Sequence, residues 1–381
     1  MRVVIAIDSF KGSLSSLQAG NAVKTAIVKN VPDAEVFVRP LADGGEGTVD
    51  ALSTLSEAEI VEVTVSGPLM NPVEAKYCIL KNRNLAVIEM AEAAGINLIP
   101  KARRNPLQTT TYGVGELINN AIAKGCRSFL IGIGGSATND GGVGMLQALG
   151  FAFLDENGNP IEPGAKGLAQ LNSISAANVP RHLQDCQFRI ACDVKNPLCG
   201  EHGCSKVFAP QKGATAEMIA SMDAWLCKYA ELAKVHNPKA DPNMPGAGAA
   251  GGLGFAFSAF TNGVLEPGVQ IVLEETSLEE YIKKSDLVIT GEGCLDSQTV
   301  MGKAPIGVAA LAKNYNKPVI AFSGCVADDA QVCNDCGIDA YFPILRKITT
   351  PEEALRPDCA VKNLTDTAEQ VFRLIYSLTV K

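Results

Sequence analysis

Short apolar runs alternate with amphipathic segments at the N-terminus of the chain. The run RVVIAID (residues 2–8) predicts a strand, and apolar residues recur at helical spacing from Leu17 to Val28. A second apolar run, AEVFVRP (34–40), precedes the loop LADGGEGT (41–48), and a further helix is predicted to begin at Thr48. This strand–helix–strand–helix order predicts parallel strands.

The last third of the chain repeats this order. Its predicted elements are the strand DLVIT (286–290), the loop GEGCLDSQTVMGKAP (291–305), the helix IGVAALAKN (306–314), the strands KPVIAFSG (317–324) and AYFPIL (340–345), and helices from Glu352 onward. We therefore predict that both ends of the chain build one α/β domain around a parallel sheet.

The middle of the chain has a different pattern. Three apolar runs between residues 60 and 90, IVEVTVSG, EAKYCIL and LAVIEM, are separated by short turns and predict antiparallel strands. A helix is predicted from Tyr112 to Ala123, and residues 237–254 are predicted to form a loop rich in Gly, Pro and Ala. We therefore predict a second, mixed α/β domain, residues 61–269, inserted between residues 1–60 and 270–381.

Composition limits the classes of function. The 381 residues, 47% of them hydrophobic, suffice for two domains. A net charge of −8 without any Lys/Arg-rich run predicts no nucleic acid and no acidic membrane as partner. No apolar stretch approaches a membrane span, so a cytoplasmic location with 12 reduced cysteines is expected.

The densest glycine cluster is GIGGSATNDGG (132–142), directly after the apolar run FLI. The segments DGGEGTVDAL (43–52) and DGGVGMLQAL (140–149) resemble each other, and GGLG (251–254) adds a third such loop. One interpretation is a tight backbone turn into a helix. The other, which we favour, is that backbone N–H groups at helix N-termini bind an anion.

Other site types fit less well. Gly132, Gly134 and Ala137 match a relaxed dinucleotide-binding pattern, so a dehydrogenase stays as an alternative, although Gly141 and Gly142 interrupt the helix that should follow. The chain has no Walker A sequence. Four residues could form a zinc site, but their spacing is irregular: Cys192, Cys199, His202 and Cys204.

Acidic residues and lysines lie beside glycines where strands are predicted to end. These residues are Asp8, Lys11, Asp43, Asp193, Glu292, Asp296 and Lys303. Ligands of open α/β sheets bind outside the carboxyl ends of the strands. Carboxylates there can hold Mg²⁺ or accept a proton, and lysines with glycine N–H groups can hold phosphates, as phosphoryl transfer requires.

Long blocks of the sequence resemble class I glycerate kinases. The blocks are DSFKGSLS, LADGGEGT, IGIGGSATNDGGVGMLQALG, ACDVKNPLCG, APQKGAT, GAGAAGGLG, DLVITGEGCLDSQT and GKAPIGVA. The resemblance implies an ATP- and Mg²⁺-dependent kinase that phosphorylates D-glycerate, most often to 2-phosphoglycerate, in organic acid and glyoxylate catabolism. It also implies a flavodoxin- or Rossmann-like domain from both chain ends, a second α/β domain, and an active site in the cleft between them.

The chain departs from the family pattern at two positions. Cys294 stands where the resemblance implies an arginine, and Ile7 stands where it implies a proline. A thiol offers no cation to a phosphate, so a role for position 294 is in doubt. The neighbouring residues Glu292, Asp296 and Lys303 are present, and the activity assignment is kept.

The candidate site residues follow from these patterns together. Asp296 is predicted to be the catalytic base, with Asp193 as the second choice and with Lys11 and Asp8 also catalytic. Asp193 and Asp43 are predicted to hold Mg²⁺. The predicted substrate- and phosphate-binding residues are Asp43, Gly44, Gly45, Gly134, Gly135, Ser136, Asn139, Gly291, Glu292, Gly293, Gln298 and Lys303. D-glycerate is the expected partner, and a homodimer is kept as an option.

Overall fold

The computed structural model describes residues 1–54 and 57–379. The strands are β1 Arg2–Ile7, β2 Glu35–Val38, β3 Ala58–Ser66, β4 Pro72–Leu80, β5 Leu85–Glu89, β6 Ser128–Gly132, β7 Ala152–Leu154, β8 Ser173–Ser175, β9 Gln187–Ala191, β10 Gly263–Glu266, β11 Leu287–Leu295, β12 Val319–Val326 and β13 Ala340–Pro343. The α-helices are α1 Ser16–Asn30, α2 Thr48–Leu52, α3 Ala91–Ala94, α4 Tyr112–Ala123, α5 Val143–Ala148, α6 Cys204–Phe208, α7 Ala216–His236, α8 Ala249–Phe260, α9 Gly268–Glu275, α10 Leu278–Lys284, α11 Ala304–Lys313, α12 Val332–Asp335, α13 Pro351–Leu355 and α14 Pro357–Thr379.

The chain divides by its internal contacts into two compact units. The terminal unit comprises Met1–Asp43, Asp50–Thr54 and Val269–Lys381, and the inner unit comprises Gly44–Val49 and Leu55–Gly268. That each unit is a separate domain with the limits predicted from sequence stays a prediction. None of the helices in the described part of the chain is both long and apolar enough to cross a lipid bilayer.

The terminal unit is built on a five-stranded, fully parallel sheet in the order β13-β12-β11-β1-β2. Numbered within the unit, this is the flavodoxin-like order 2-1-3-4-5, whose ligand-binding switch point lies between the first and third strands. Here those strands are β1 and β11. In register, Ile7 pairs with Gly291, so Asp8 follows the carboxyl end of β1 beside Glu292, which lies within β11.

Alternation along β1 places helices on both faces of this sheet. Val3 and Ile5 share a buried cluster with α1 and α14, whereas Val4 and Ala6 share one with α10 and α11. Helix α1 begins with a capping box, because Ser15 Oγ accepts from Gln18 N and Gln18 Oε1 accepts from Ser15 N. The helix spacing predicted from Leu17 onward is therefore confirmed.

The inner unit contains a six-stranded mixed sheet in the order β10-β9-β6-β5-β4-β3. Strands β3, β4 and β5 pair antiparallel, as predicted, while β5, β6, β9 and β10 run parallel. The carboxyl ends of β5, β6 and β9 meet at Glu89, Gly132 and Ala191, which are in register. This edge carries the glycine-rich loops.

Two local predictions are wrong. Strand β11 does not end at Thr290 but continues to Leu295, because it pairs with β12 from Val288↔Val319 to Leu295↔Val326. A side chain at Gly291 would collide with the carbonyl oxygen of Phe322, so glycine permits this pairing. The predicted loop 237–254 ends earlier, because α8 begins at Ala249, although residues 250–252 have left-handed backbone.

Candidate functional site

Asp8 lies at the switch point of the terminal unit, directly after β1. Its backbone N–H donates to Gly291 O over 2.9 Å, and its Oδ1 accepts from Ser9 N over 2.7 Å. The residue is only 6% exposed. Burial raises the pKa of Asp8 to about 7; the nearby carboxylates of Asp43 and Glu292 add to the rise, while Lys11 and the Ser9 hydrogen bond oppose it.

Lys11 lies near Asp8 on the short loop after β1. Its Nζ is 3.3 Å from Asp43 Oδ2, and the pKa of Lys11 is raised chiefly by that carboxylate. The lysine side chain is 71% exposed, so the ion pair contributes only about 0–1 kcal/mol to stability. An exposed, weakly held cation can turn toward an incoming anion at little cost.

Glu292, Asp296 and Lys303 form a second group in the terminal unit. Lys303 Nζ lies 3.5 Å from Glu292 Oε2 and 3.4 Å from Asp296 Oδ1. Thr299 Oγ1 donates to Glu292 Oε1 over 2.6 Å. Burial raises the pKa of Glu292, opposed by the Thr299 hydrogen bond and by Lys303. Glu292 is thus a carboxyl held inside the strand, beside one lysine.

Asp296 has a different environment from Asp8. Its Oδ1 accepts from the backbone N–H groups of Gln298 and Thr299, so it closes the turn that leads into the 3₁₀ helix Thr299–Met301. Partial desolvation favours a higher pKa, but Lys303 and these N–H groups outweigh it and lower the pKa of Asp296. The predicted base is therefore a firmly ionised turn residue.

The remaining predicted residues of this unit are distributed along β11 and beyond. Gly291 and Gly293 lie within the strand, and Gln298 is exposed. Cys294 pairs in register with Cys325 of β12, and burial, followed by the interaction with Cys325, raises the pKa of Cys294 to about 12. Position 294 therefore carries a neutral thiol at neutral pH.

In the inner unit, the three glycine-rich loops pack against one another. A side chain at Gly44 would collide with Ala191, and one at Gly132 would collide with the carbonyl oxygen of Gly44. Gly141 N donates to Gly251 O over 2.9 Å, and a side chain at Gly251 would collide with Thr138 O. Close packing between backbones that lie far apart in the chain therefore explains these glycines, a reason that neither interpretation from sequence gave.

Gly134, Gly135 and Ser136 differ from these packed glycines. Gly134 and Gly135 are exposed, Gly135 has φ +71°, and Ser136 is 9% exposed at the same loop. A side chain at Gly134 would meet only Gly45, at 3.3 Å. The bare backbone of these two residues therefore faces open space, where a ligand can approach.

Asn139 and Asp140, by contrast, are fully buried. Asn139 Nδ2 donates to Ser205 Oγ over 2.9 Å, so its amide binds the protein, and its predicted contact with phosphate oxygens stays a prediction that this burial disfavours. Asp140 accepts five hydrogen bonds of 2.8–3.3 Å, from the N–H groups of Thr111, Gly142 and Gly144 and the hydroxyls of Thr110 and Thr111. Burial raises the pKa of Asp140, and these bonds oppose the rise.

Sequence reasoning missed two buried charged residues of the inner unit. Lys212 is 2% exposed and donates to Ser136 Oγ and Thr138 O. Glu89, at the end of β5, accepts from Gly47 N and Val49 N and thereby holds the start of α2. The available signals were a lysine inside the block APQKGAT and an acidic residue ending the apolar run LAVIEM.

Metal ligands are limited in the part of the chain that the structure describes. No three His, Cys, Asp or Glu side chains there are grouped so as to hold a metal ion. Cys204 of the considered zinc set is buried, and Cys199 Sγ instead lies 2.7 Å from Cys227 Sγ. Asp193 is exposed, and its Oδ1 accepts from Gly268 N over 3.0 Å. Mg²⁺ needs only one or two carboxylates, so the lack of a group of three does not contradict Asp43 and Asp193 as its ligands. Both residues stay predictions.

Known proteins match the whole chain. A sequence model of the glycerate kinase family matches residues 3–376. The chain is 46% identical over 375 residues to a glycerate kinase of Haemophilus influenzae, covering 98% of this chain and 99% of that protein. It is 47% identical over 356 residues to the glycerate 2-kinase of Escherichia coli K12, covering 93% of each.

A solved structure agrees with these matches. A crystal structure of a Salmonella typhimurium LT2 protein superposes with a TM-score of 0.91 at 45% identity and covers 100% of both chains. The predicted α/β fold and the resemblance are thereby confirmed, and the alternative of a dehydrogenase gains no support. The chain belongs to the glycerate kinase family.

Proposed function

We propose that this protein transfers the γ-phosphoryl group of ATP to D-glycerate and produces 2-phospho-D-glycerate and ADP. The observation that carries the proposal is the family match over residues 3–376, together with the carboxylates and lysines at the switch point of the terminal unit. Such transfer needs positioning, cations for the phosphoryl charge and one proton acceptor. The described residues supply each of these parts.

Asp8 is the base that the geometry favours. The attacking hydroxyl of glycerate must lose a proton, and a base is most effective when its pKa is near the working pH. Asp8 lies at the switch point, is buried, and has a pKa of about 7. Asp296, the choice from sequence, is ionised and held by a lysine and two backbone N–H groups, so it is the weaker proton acceptor.

The lysines of the terminal unit supply positive charge. Lys11 and Lys303 each lie beside carboxylates that hold them near the strand ends. A cation that meets the phosphoryl oxygens stabilises the charge that they carry in the transition state. Cys294 cannot do this, because its thiol is neutral. The two lysines therefore carry the electrostatic role in this unit.

A magnesium ion fits the donor chemistry of this region. Mg²⁺ binds one or two carboxylates and otherwise takes water and substrate phosphate oxygens. Asp43 and Asp193 are the carboxylates that we assign to it, each binding directly or through water. When bound, the ion would neutralise phosphate charge. Both residues are assigned here by chemistry and not by a grouped set of ligands.

Partners and location follow from chemistry already described. All twelve cysteines are free thiols, which is typical of a reducing compartment and supports a cytoplasmic location. The net charge of −8 argues against nucleic acid as a partner. A homodimer stays a prediction, which sedimentation of the purified protein would test.

The decisive experiment is a coupled ADP-release assay with D-glycerate, followed by NMR of the product. We expect release of ADP that requires D-glycerate and Mg²⁺, and phosphorus bonded at O2. L-glycerate and glycerol serve as controls for stereochemistry and for the carboxylate. Absence of ADP release with D-glycerate, or reduction of NAD(P)⁺ in its place, would contradict the proposal, and phosphorus at O3 would correct the product alone.

A further inference from the structure

Lys212 is a buried cation that the function described above does not use. It ends the 3₁₀ helix Pro210–Lys212, between α6 and α7, and is 2% exposed. Its Nζ donates to Ser136 Oγ over 2.8 Å and to Thr138 O over 2.6 Å. Both acceptors are neutral oxygens of the loop 132–142, and neither is a carboxylate.

This arrangement is costly for the protein. Desolvation lowers the pKa of Lys212 to about 8, while Cys204 and Asp140 partly offset that effect. At pH 7 the ammonium form still predominates, so a positive charge is held inside the unit without a hydrogen-bonded anion. A strongly perturbed charge next to exposed, bare backbone is typical of functional sites.

The direction of the hydrogen bond between Lys212 and Ser136 determines whether the Ser136 hydroxyl can donate to a ligand. An ammonium group only donates, so Ser136 Oγ is the acceptor in this pair. The hydroxyl hydrogen of Ser136 is then free to point to another acceptor. The chain around it is a glycine loop with its backbone exposed at Gly134 and Gly135.

The backbone of this segment adds further donors. In the described part of the chain, the carbonyl of Gly135 accepts from Ile96 N and Ala137 N donates to Ala94 O, but the N–H groups of Gly134, Gly135 and Ser136 donate to no protein acceptor. Successive N–H groups around a residue with positive φ form a concave anion-binding surface. The Ser136 hydroxyl and these N–H groups can therefore donate to a single oxyanion, and the buried charge of Lys212 favours its binding.

We propose that Lys212 is a positioning residue that orients the Ser136 hydroxyl, so that Ser136 and the N–H groups of Gly134 and Gly135 bind an oxyanion of a substrate. The proposal rests on the proposed kinase function, because both substrates of that reaction are oxyanions: the carboxylate of D-glycerate and the phosphates of ATP. In either case the oxyanion is bound by hydrogen-bond donors alone. The experiment distinguishes binding of D-glycerate from binding of ATP.

The test compares four variants with the wild type: Lys212→Met, Lys212→Arg, Ser136→Ala and, as a matched control, Lys206→Met. Lys206 lies on α6 and is exposed, so its substitution removes the same charge from the same unit. The Michaelis constants for D-glycerate and for ATP are measured separately at pH 7. A hydrogen bond to a charged group predicts a rise of roughly 10–100-fold in one of them for Lys212→Met.

The pattern across variants separates positioning from simple stability. We expect Ser136→Ala to raise the same Michaelis constant as Lys212→Met, Lys212→Arg to restore most of the loss, and Lys206→Met to behave as wild type. Turnover should fall less than affinity, because the interaction is made in both ground and transition states. A rise in the Michaelis constant for D-glycerate alone identifies its carboxylate as the bound oxyanion. A rise in that for ATP alone identifies the phosphates.

A pH profile adds a second readout. Above about pH 8 Lys212 loses its proton, so the affected Michaelis constant should rise in the wild type and stay flat in Lys212→Arg. The groups that face Lys212 are Asp140 of the loop and Cys204 of α6, with Tyr229 of α7 beyond Asp140. The pKa values of Cys204 and Tyr229 are raised by burial, so neither should ionise in this interval.

The outcomes are separable from those of the proposed function. If the wild type phosphorylates D-glycerate and Lys212→Met leaves both Michaelis constants within twofold, the inference is overturned and the function stands. If the wild type lacks that activity, calorimetric binding of D-glycerate and of ATP to wild type and Lys212→Met tests the inference alone, and equal affinities overturn it. Should Lys212→Met fail to fold, Ser136→Ala decides by the same criterion.

Discussion

The carboxyl end of the parallel sheet in the terminal unit and the glycine loop of the inner unit solve opposite electrostatic problems. At the sheet end, Asp8, Asp43 and Glu292 crowd negative charge that Lys11 and Lys303 only partly offset. At the loop, the buried ammonium of Lys212 donates only to neutral acceptors. The first region is suited to accept a proton and to meet a cation, whereas the second is suited to bind an anion.

The two regions also differ in what holds them in place. Exposed ion pairs such as Lys11–Asp43 add little stability, so the sheet end is positioned mainly by its strands. The loop leaves β6 at Gly132, and beyond that point it depends on buried hydrogen bonds to Asp140 and on glycine packing. Loss of a carboxylate should therefore impair chemistry in the first region, whereas loss of the Asp140 carboxylate should impair folding in the second.

The largest effect is expected for Asp8→Asn. Removal of the proton acceptor should lower turnover by roughly 10²–10⁴-fold with little change in the Michaelis constant for ATP. Asp296→Asn, which alters a turn residue, should cost less turnover. Steady-state kinetics of the two variants check the assignment, and a greater loss in Asp296→Asn would return the base to the position predicted from sequence.

The substitution Asp8→Asn should also stabilise the folded protein. The folded pKa of Asp8, about 7, lies above the ordinary value of 3.8, so the folded state binds this proton more tightly than the unfolded state does. Stability from this group is therefore full below about pH 4 and is lost as pH rises to about 7. At pH 8, Asp8→Asn should raise the free energy of unfolding by on the order of 2–4 kcal/mol. Urea denaturation at pH 8 would measure it, and a loss of stability would contradict the proposed burial cost.

Lys303→Met and Lys11→Met come next. A preorganised cation contributes roughly 10²–10³-fold to turnover. Lys303 should show the larger loss, because it is held by two carboxylates, whereas Lys11 is exposed and held by one. Turnover numbers at saturating substrates measure this, and wild-type turnover in both variants would remove the lysines from the site.

In the loop, Asp140→Ala should act on folding. Five donors lose their buried acceptor, which should lower the free energy of unfolding by about 3 kcal/mol or more. Asp185→Ala is the matched control, since Asp185 is exposed in the same unit and should change stability by less than about 0.5 kcal/mol. Equal denaturation midpoints for the two variants would show that the loop is not held by Asp140.

The last effect is a pH dependence of kcat/KM for D-glycerate. This constant should fall about tenfold per pH unit below about pH 7, because Asp8 of the free enzyme must be ionised to accept a proton. Asp296→Asn should keep this inflection, and Asp8→Asn should lose it. An inflection that survives in Asp8→Asn would assign it to another group.

Sequence patterns predicted the sheet end better than the loop. Asp8 and Glu292 were proposed because acidic residues stood where strands of an α/β sheet were predicted to end, and the register of β1 with β11 brings the two positions together. The extension of β11 was missed, since Gly291 and Gly293 read locally as a loop, and only pairing with β12 overrides that preference.

In the loop, the sequence indicated the glycines but not the reason for most of them. Gly44, Gly132 and Gly251 are required by backbones that lie far apart in the chain, which no local pattern reveals. Lys212 and Glu89 were missed for the same reason, since Lys and Glu are normally exposed and their burial depends on tertiary packing.

The pairing of β1 with β11 has a consequence for synthesis on the ribosome. Arg2 N donates to Asp286, 284 residues later, and α1 shares its buried cluster with α14 at the other end of the chain. At roughly 5–20 residues per second, the N-terminal segment waits on the order of 15–60 s for its neighbours. Meanwhile the whole inner unit emerges. Among the strands of this sheet, β1 therefore waits longest for the neighbour that completes its pairing.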